Sequence, residues 1–385
     1  MKLNRAGIAA GLLAATVALA ACGSSGSSAK SAGPDPTGAS TNPSAPADTA
    51  AGSGSGSKPT CSTGTLNAEG STAQTNAMTE WINAYTKACS GAKVNYNPTG
   101  SGAGISSFTA NQVAFAGSDS ALDPAKGEVA GAMKRCTSAP LDLPMVVGPI
   151  AIGYKLNGVD NLTLTPELVA KIFTGKITKW NDPAIAAANK SATLPSTSIS
   201  VIYRSDPSGT TQNFEKYLAS TAPDVFTAKP AKDNTATVFT GQGKAKSQGV
   251  AAALSSTEGS IGYDEYSFAV SSSLQTAKID SGSGGVAVSK DSAAAAAAEA
   301  KVVGTGDDVS LEINYKPSSA AAYPIILVTY EIACTKYSDA ATGTFVKNFL
   351  DYTVNGGQTV LAKLGYAPLP DSLATKVKAS IAKIS

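Results

Sequence analysis

The segment RSDPSGTTQNF, Arg204 to Phe214, decides how the chain is read. The run before it, TSISVIY, alternates and is β-branched, so it predicts a strand. The run after it, TQNFEKYLAS, places Phe214, Tyr217 and Leu218 at helical spacing. The segment between them is therefore a strand-to-helix turn of an α/β unit. Such a turn presents free backbone N–H groups at a helix N-terminus, where anions bind. Arg204 adds a fixed positive fork, and Asp206 stands where it can hold the guanidinium in orientation.

The first residues, MKLNRAGIAAGLLAATVALAAC, read as an export signal. Lys2 and Arg5 form a charged n-region, and the apolar core is too short to span a membrane as a mature helix. Residues 1–21 are assigned to this leader. It ends in Leu-Ala-Ala before Cys22, the pattern of a bacterial lipobox, in which the cysteine is lipidated and becomes the mature N-terminus. Residues 22–60 hold the Cys and a Gly/Ser/Pro/Ala-rich run with almost no side chain larger than Ala that could enter a core. That composition cannot repay its ordering entropy and predicts a disordered tether, with a reach of roughly 35 Å as a Gly/Ser coil.

The remaining stretch, 61–385, is long enough for two cores. The chain carries 30 basic and 28 acidic residues. Without Lys2 and Arg5 the two signs balance, so no overall field favours nucleic acid or an anionic membrane. Any anion site must be local. Histidine is absent, which excludes Ser-His-Asp and Cys-His catalysis and zinc sites built on His.

Four cysteines follow Cys22: Cys61, Cys89, Cys136 and Cys334. In an exported chain they suggest two disulfides, with three pairings open. Cys61 precedes the strand GTLNAEG and Cys89 the strand AKVNYNP. In a right-handed βαβ unit both lie at the same end of neighbouring parallel strands. That favours Cys61–Cys89 and leaves Cys136–Cys334. A metal site is the rival, but the spacings are not those of CxxC motifs.

Along the chain, strands and helices alternate. Between the first two strands, Met78, Trp81, Ile82 and Tyr85 recur at helical spacing. LDLPMVVGPIAIGYKL reads as strands broken by Pro144 and Pro149. TPELVAKIFTGKITKW reads as a helix with a Thr-Pro-Glu start, SKDSAAAAAAEAKVV as an Ala-rich helix, and YPIILVTYEIAC as a buried strand. The alternation implies two open α/β sheets. If Cys334 bonds Cys136, the last strand and helices return to the first lobe. Lobe 1 is then 61–152 plus 325–385, lobe 2 is 153–324, and two crossovers make a hinged clamp around a ligand at the carboxyl ends of the strands.

Three Ser/Thr/Gly-rich turns each follow a strand: EGSTA (Glu69 to Ala73), TGSGAGI (Thr99 to Ile105) and RSDPSGTT. Each offers hydroxyls and backbone N–H groups to one oxyanion. A fourth strand end, FAGSDSAL, adds Asp119. GSGAG lacks the Lys of a Walker motif.

These motifs, together with GPIAIGYKL, KIFTGKITKWNDPAI, GSIGYDEYSFA, YPIILVTYEI and GYAPLPDS, make the chain from Cys61 to Ser385 resemble the PstS family, the phosphate-binding lipoproteins of bacterial phosphate ABC importers, especially actinobacterial members. The resemblance implies a two-lobed type II periplasmic-binding-protein fold. Carried over by position, it implies a phosphate-binding set of Thr72, Ala73 through its N–H, Ser101, Asp119 as proton-accepting carboxylate, Arg204, Ser208, Gly209 and Thr210. Asp206 braces Arg204. Ala73 departs from the bulkier apolar residue of many members, and Pro207 removes one N–H just before the expected donors. The resemblance further implies permease subunits of a phosphate ABC importer as partners, and a monomer held to the outer face of the cell membrane by lipid on Cys22. No cofactor or metal and no nucleic-acid partner is expected.

The leading expectation is a binding protein and not an enzyme. Micromolar affinity needs only about 8 kcal/mol net, and charge-assisted hydrogen bonds at about 1.5–3 kcal/mol each exceed that before costs. The alternatives are a binder of sulfate or molybdate on the same fold and a phosphatase using Ser208. A surface-antigen or adhesin role is compatible with transport.

Overall fold

The computed structural model describes residues 58–385. The leader, Cys22 and most of the tether lie outside the described residues. One sheet runs through the described chain, in the order Ala92–Pro98, Gly64–Gly70, Phe115–Ser118, Ile326–Cys334, Pro140–Lys155, Ser260–Glu265, Ser200–Arg204, Gln242–Lys244. The first three strands are parallel to one another, and so are the last three. The two long strands between them pair antiparallel to each other and to their outer neighbours. Two parallel α/β trios are thus joined through a central antiparallel pair, giving two lobes.

The stretch from Pro140 to Lys155 is one strand of 16 residues and not a series broken by its prolines. Both prolines fall where the missing N–H costs little. Pro144 lies at an irregularity in the pairing: Val146 faces Thr329, Pro144 faces Tyr330, and Met145 is left over. Pro149 is the last residue paired with the Ile326–Cys334 strand. From Ile150 onward the partner is Ser260–Glu265 in the other lobe. The strand therefore passes from one lobe to the other at a proline.

Two large hydrophobic cores flank this sheet, with a small third cluster of Ile202, Val250 and Leu254. The first holds Trp81, Phe108, Phe115 and the C-terminal Phe345, Phe349 and Ile381. Trp81 Nε1 donates to Gly357 O at 2.7 Å, fixing the returning C-terminal segment to the first helix, Thr75–Ala88. The second holds Phe173, Trp180, Phe214, Tyr217 and Tyr263. The Ala-rich helix is shorter than the sequence suggests, Lys290–Ala297, and opens with a Ser289–Ser292 capping box. Its Ala293, Ala296 and Ala297 pack in the first core. The helix begun at Thr165 ends at Phe173, because Gly175 turns the chain at φ +74°.

Both favoured disulfides are formed, Cys61–Cys89 and Cys136–Cys334, each with Cα atoms 5.3 Å apart. The second closes a loop of sequence separation 198. On the chain-entropy account it stabilises by up to about 5 kcal/mol.

Candidate anion-binding site

The carboxyl ends of both parallel trios meet at one place, as open α/β sheets require of a ligand site. In the first lobe, Gly64–Gly70 ends at φ +144°, where a Cβ would lie 2.0 Å from Gly117 O, so only glycine fits. The turn that follows is buried: Ser71, Thr72 and Ala73 are at most 1% exposed. Ala73 N–H donates to Ser71 Oγ at 3.1 Å, and Ser71 Oγ donates to Asp119. In the second turn, Ser101 begins the helix Ser101–Thr109. Its Oγ accepts from Asp119 N–H at 3.1 Å and from Gly209 N–H, across the cleft, at 3.2 Å.

The second lobe contributes Arg204, which is 1% exposed at the end of Ser200–Arg204. Its Nε and Nη2 donate to the two oxygens of Asp206 at 2.8 and 2.5 Å. Asp206 Oδ1 also accepts from Lys246 N–H at 2.8 Å. Burial works against the Arg204 cation, but the Asp206 pairing more than offsets it and holds its pKa above the ordinary value. Burial likewise favours a neutral Asp206, and the Arg204 bonds outweigh it, holding that carboxyl below its usual range. The remaining nitrogen, Nη1, donates to Ser247 Oγ at 3.4 Å. Ser208 caps the helix Gly209–Thr221 and accepts from Thr211 N–H at 3.3 Å. Pro207 presents its carbonyl to the first lobe, accepting from Gly102 N–H at 3.2 Å.

Asp119 stands between the lobes. Its Oδ1 accepts from Ser71 and from Thr329 Oγ1 at 2.9 Å, and its Oδ2 from Ser101 Oγ at 3.3 Å and Thr210 Oγ1 at 3.1 Å. Burial raises its pKa, while the hydroxyls of Ser71, Thr329 and Thr210 and the field of Arg204 pull the other way. All eight residues expected as ligand groups therefore lie at strand ends, turns and helix starts at this junction, with Asp206 locked to Arg204.

The structure adds residues that the sequence reading did not single out. Ser71 lies inside the EGSTA motif, outside the set that the resemblance implies. Ser247, in the first turn of Lys246–Ser256, lies 3.0 Å from Thr72 Oγ1. The chain reaches it through Lys246 at φ +64°, a turn without glycine to announce it. Thr329 is a polar residue in the middle of a fully buried strand. Asn213 donates to Asp119 O at 2.6 Å and fastens the helix Gly209–Thr221 to the first lobe.

Gly209 is a point of close approach between the lobes. A Cβ there would lie 2.8 Å from both Asp119 Cβ and Ser101 Oγ. Gly209→Ala is expected to hold the lobes apart and weaken anion binding by about tenfold to a hundredfold, the equivalent of one or two lost hydrogen bonds. Titration calorimetry checks this. Thermal unfolding should change little, because the clash is between lobes and not within a core.

A family model described as a PBP superfamily domain matches residues 45–356. Phosphate-binding protein PstS 3 of Mycobacterium leprae is 44% identical over 381 residues, covering 98% of each chain. Phosphate-binding protein PstS 3 of Mycobacterium tuberculosis is 43% identical over 390 residues, covering the whole of both. Among solved structures, a high-affinity periplasmic phosphate-binding protein, PfluDING, bound with phosphate, superposes with a TM-score of 0.68. The match covers 82% of this chain and 93% of that one, at 22% identity, and speaks to the fold.

Proposed function

The chain belongs to the PstS phosphate-binding proteins of the PBP superfamily, and from that premise we propose that it captures inorganic phosphate between its two lobes and hands it to the membrane subunits of an ABC importer. The observation that carries this reading is the junction itself. A buried, braced guanidinium enters from one lobe and a buried carboxylate ringed by hydroxyls from the other. Arg204 supplies charge for any oxyanion. Asp119 supplies an acceptor, which only an oxyanion that still carries a proton can use.

In this reading Arg204 anchors the anion and Asp206 aims the guanidinium. Ser208, Gly209 and Thr210 donate from the first turn of a helix, where the aligned peptide dipoles favour negative charge. Thr72, the Ala73 N–H and Ser101 donate from the opposite lobe. Groups from both lobes on one ligand make capture and lobe closure the same event. The relatives carry names of binding proteins, and among the described residues Ser208 Oγ bonds to the Thr211 N–H and to no basic side chain, so the reading is reversible binding and not hydrolysis. Export, lipid attachment at Cys22 and a monomeric state are part of the same proposal.

Calorimetric titration with phosphate, sulfate and molybdate tests it. Phosphate should bind in the micromolar range or tighter, and the proton-free anions at least a thousandfold more weakly. Sulfate or molybdate binding as tightly as phosphate would overturn the assignment. Turnover of a phosphomonoester by the purified chain would overturn the exclusion of catalysis.

A further inference from the structure

A second buried layer lies behind the anion-facing side chains. The strand Ile326–Cys334 is buried along its whole length, yet Thr329 and Glu331, two apart and so on one face, are polar. Thr329 donates to Asp119. Glu331 is 0% exposed, and neither of its carboxyl oxygens has a hydrogen-bond partner among the described residues. It stands in register with Gly117, two residues before Asp119. Over Gly117 lie the Gln74 amide and the Tyr96 hydroxyl, so close that a Cβ would meet them at 2.1 and 2.4 Å. Gln74 Nε2 donates to Tyr96 OH at 3.0 Å, Tyr96 OH to Ser71 O at 2.8 Å, and Ser71 Oγ to Asp119. Glu331 thus backs the turn that holds Asp119.

An unpaired buried carboxylate is costly, and taking up a proton removes the cost. A protonated carboxyl is also a donor, and the neighbouring Gln74 has a buried Oε1 with no partner among the described residues.

We propose that Glu331 is a positioning residue for phosphate recognition: held uncharged behind Asp119, it leaves Asp119 to face the ligand without a second negative charge at its back, and its ionisation at alkaline pH weakens phosphate binding. The inference rests on the phosphate reading above. Burial pushes the Glu331 carboxyl up to about 8, Gln74 pulls it down, and the Asp119 charge raises it. The groups around it are few. Gln74 faces it from the turn before Thr75–Ala88. Tyr96 faces it from Ala92–Pro98, its phenol pushed far up by burial and by the charges of Glu331, Asp119 and Glu69, and so neutral. Asp119 faces it from the end of Phe115–Ser118, and apolar Leu143 pairs with it from the remaining side.

The sign follows. Bound phosphate brings negative charge near Glu331, so its pKa is higher in the complex than in the free protein. Between those two values binding takes up a proton, and affinity falls by up to about tenfold per pH unit. Where the dianion is the bound form, the titration of free phosphate adds no slope there, and any slope it adds is shared by Glu331→Gln.

The test uses the full chain as wild type, Glu331→Gln and Asp264→Asn. Asp264, pushed by burial to about 8 against the field of Arg204, is a second buried carboxyl beside the guanidinium that titrates in that window. Phosphate affinity is measured from pH 7 to pH 9.5. The slope above pH 8 should be shallower, by up to about one decade per unit, in Glu331→Gln than in wild type, while Asp264→Asn keeps the Glu331 share. An equal slope in Glu331→Gln and wild type overturns the inference, while absence of phosphate binding by wild type at pH 7 overturns the phosphate reading on which it rests. Should Glu331→Gln fail to fold, wild type labelled with ¹³C at the glutamate carboxyls decides. A resonance titrating near pH 8 must move its midpoint upward when phosphate is added, and a set of glutamate midpoints indifferent to phosphate refutes the role.

Discussion

Arg204→Ala is expected to weaken phosphate binding by about three orders of magnitude and to destabilise the fold at the same time. Two charge-assisted hydrogen bonds to the anion, at about 1.5–3 kcal/mol each, set the first effect. The second comes from what the substitution leaves behind. Asp206 loses both bonds from the guanidinium and keeps only Lys246 N–H, and breaking one side of a buried pair costs about 3–5 kcal/mol. Asp206 is partly exposed, with 16% of its side chain accessible, so the lower end of that range applies. The loss should shrink in acid. Arg204 holds the Asp206 carboxyl below its usual range against the effect of burial, and a depressed acid contributes stability above its unfolded pKa that disappears as pH falls through the folded value. The two effects separate in a second variant. Arg204→Met with Asp206→Asn removes both charges, and removing both partners is far cheaper than removing one. Its melting temperature should recover most of the loss, while its phosphate affinity stays as low as that of Arg204→Ala. Recovery of phosphate binding in the double variant would strip Arg204 of its anchoring role and leave it a structural ion pair.

The parts of this site that were legible in the sequence are those where chemistry restricts residue type. A strand-to-helix turn that closes on an anion needs glycine for close approach and hydroxyls at the helix start. EGSTA, TGSGAGI and RSDPSGTT all carry that composition. Gly70 and Gly209 show why: a Cβ at either would strike the neighbouring backbone or side chains. Strand interiors carry no such restriction. Thr329 and Glu331 sit inside an apolar run, and the only trace they leave is polarity at every second position of VTYEI. Their meaning depends on a neighbour 210 residues away, Asp119. Ser247 is concealed differently, since its turn is made by Lys246 in a left-handed conformation that glycine would have advertised. The prolines of LDLPMVVGPIAIGYKL misled for a tertiary reason. A proline ends a strand only where its N–H is needed, and one strand can change partners between its two halves. Propensity identified the Ala-rich helix, but helix propensity is indifferent to which core a small apolar face meets.

Asp119→Asn should collapse selectivity between phosphate and sulfate, from about 10⁴-fold to within about a hundredfold. The two anions are nearly equal in size, so Arg204 and the N–H donors serve both. The carboxylate does not. It already accepts from Ser71, Thr329, Ser101 and Thr210, and as an acceptor it can greet a ligand only through a proton the ligand brings. Phosphate near neutrality brings at least one. Sulfate brings none, so it leaves a desolvated acceptor unpaired at about 1–3 kcal/mol or more and adds repulsion between like charges. Sites built around one required hydrogen bond reject the analogue lacking it by about 10⁴-fold or more. An amide at position 119 reverses the terms, because its NH₂ donates to an unprotonated oxygen. The surrounding groups tolerate the change: with the NH₂ on the side of Ser71 and Thr329 those hydroxyls turn to accept, while Ser101 and Thr210 keep donating to the amide oxygen, so the melting temperature should stay close to that of wild type. Sulfate affinity should rise and phosphate affinity fall, since phosphate loses the acceptor for its proton. Calorimetry with both anions on wild type and Asp119→Asn decides it. If neither affinity moves, Asp119 merely ties the strand end to its neighbouring hydroxyls, and the discrimination must come from elsewhere in the cleft.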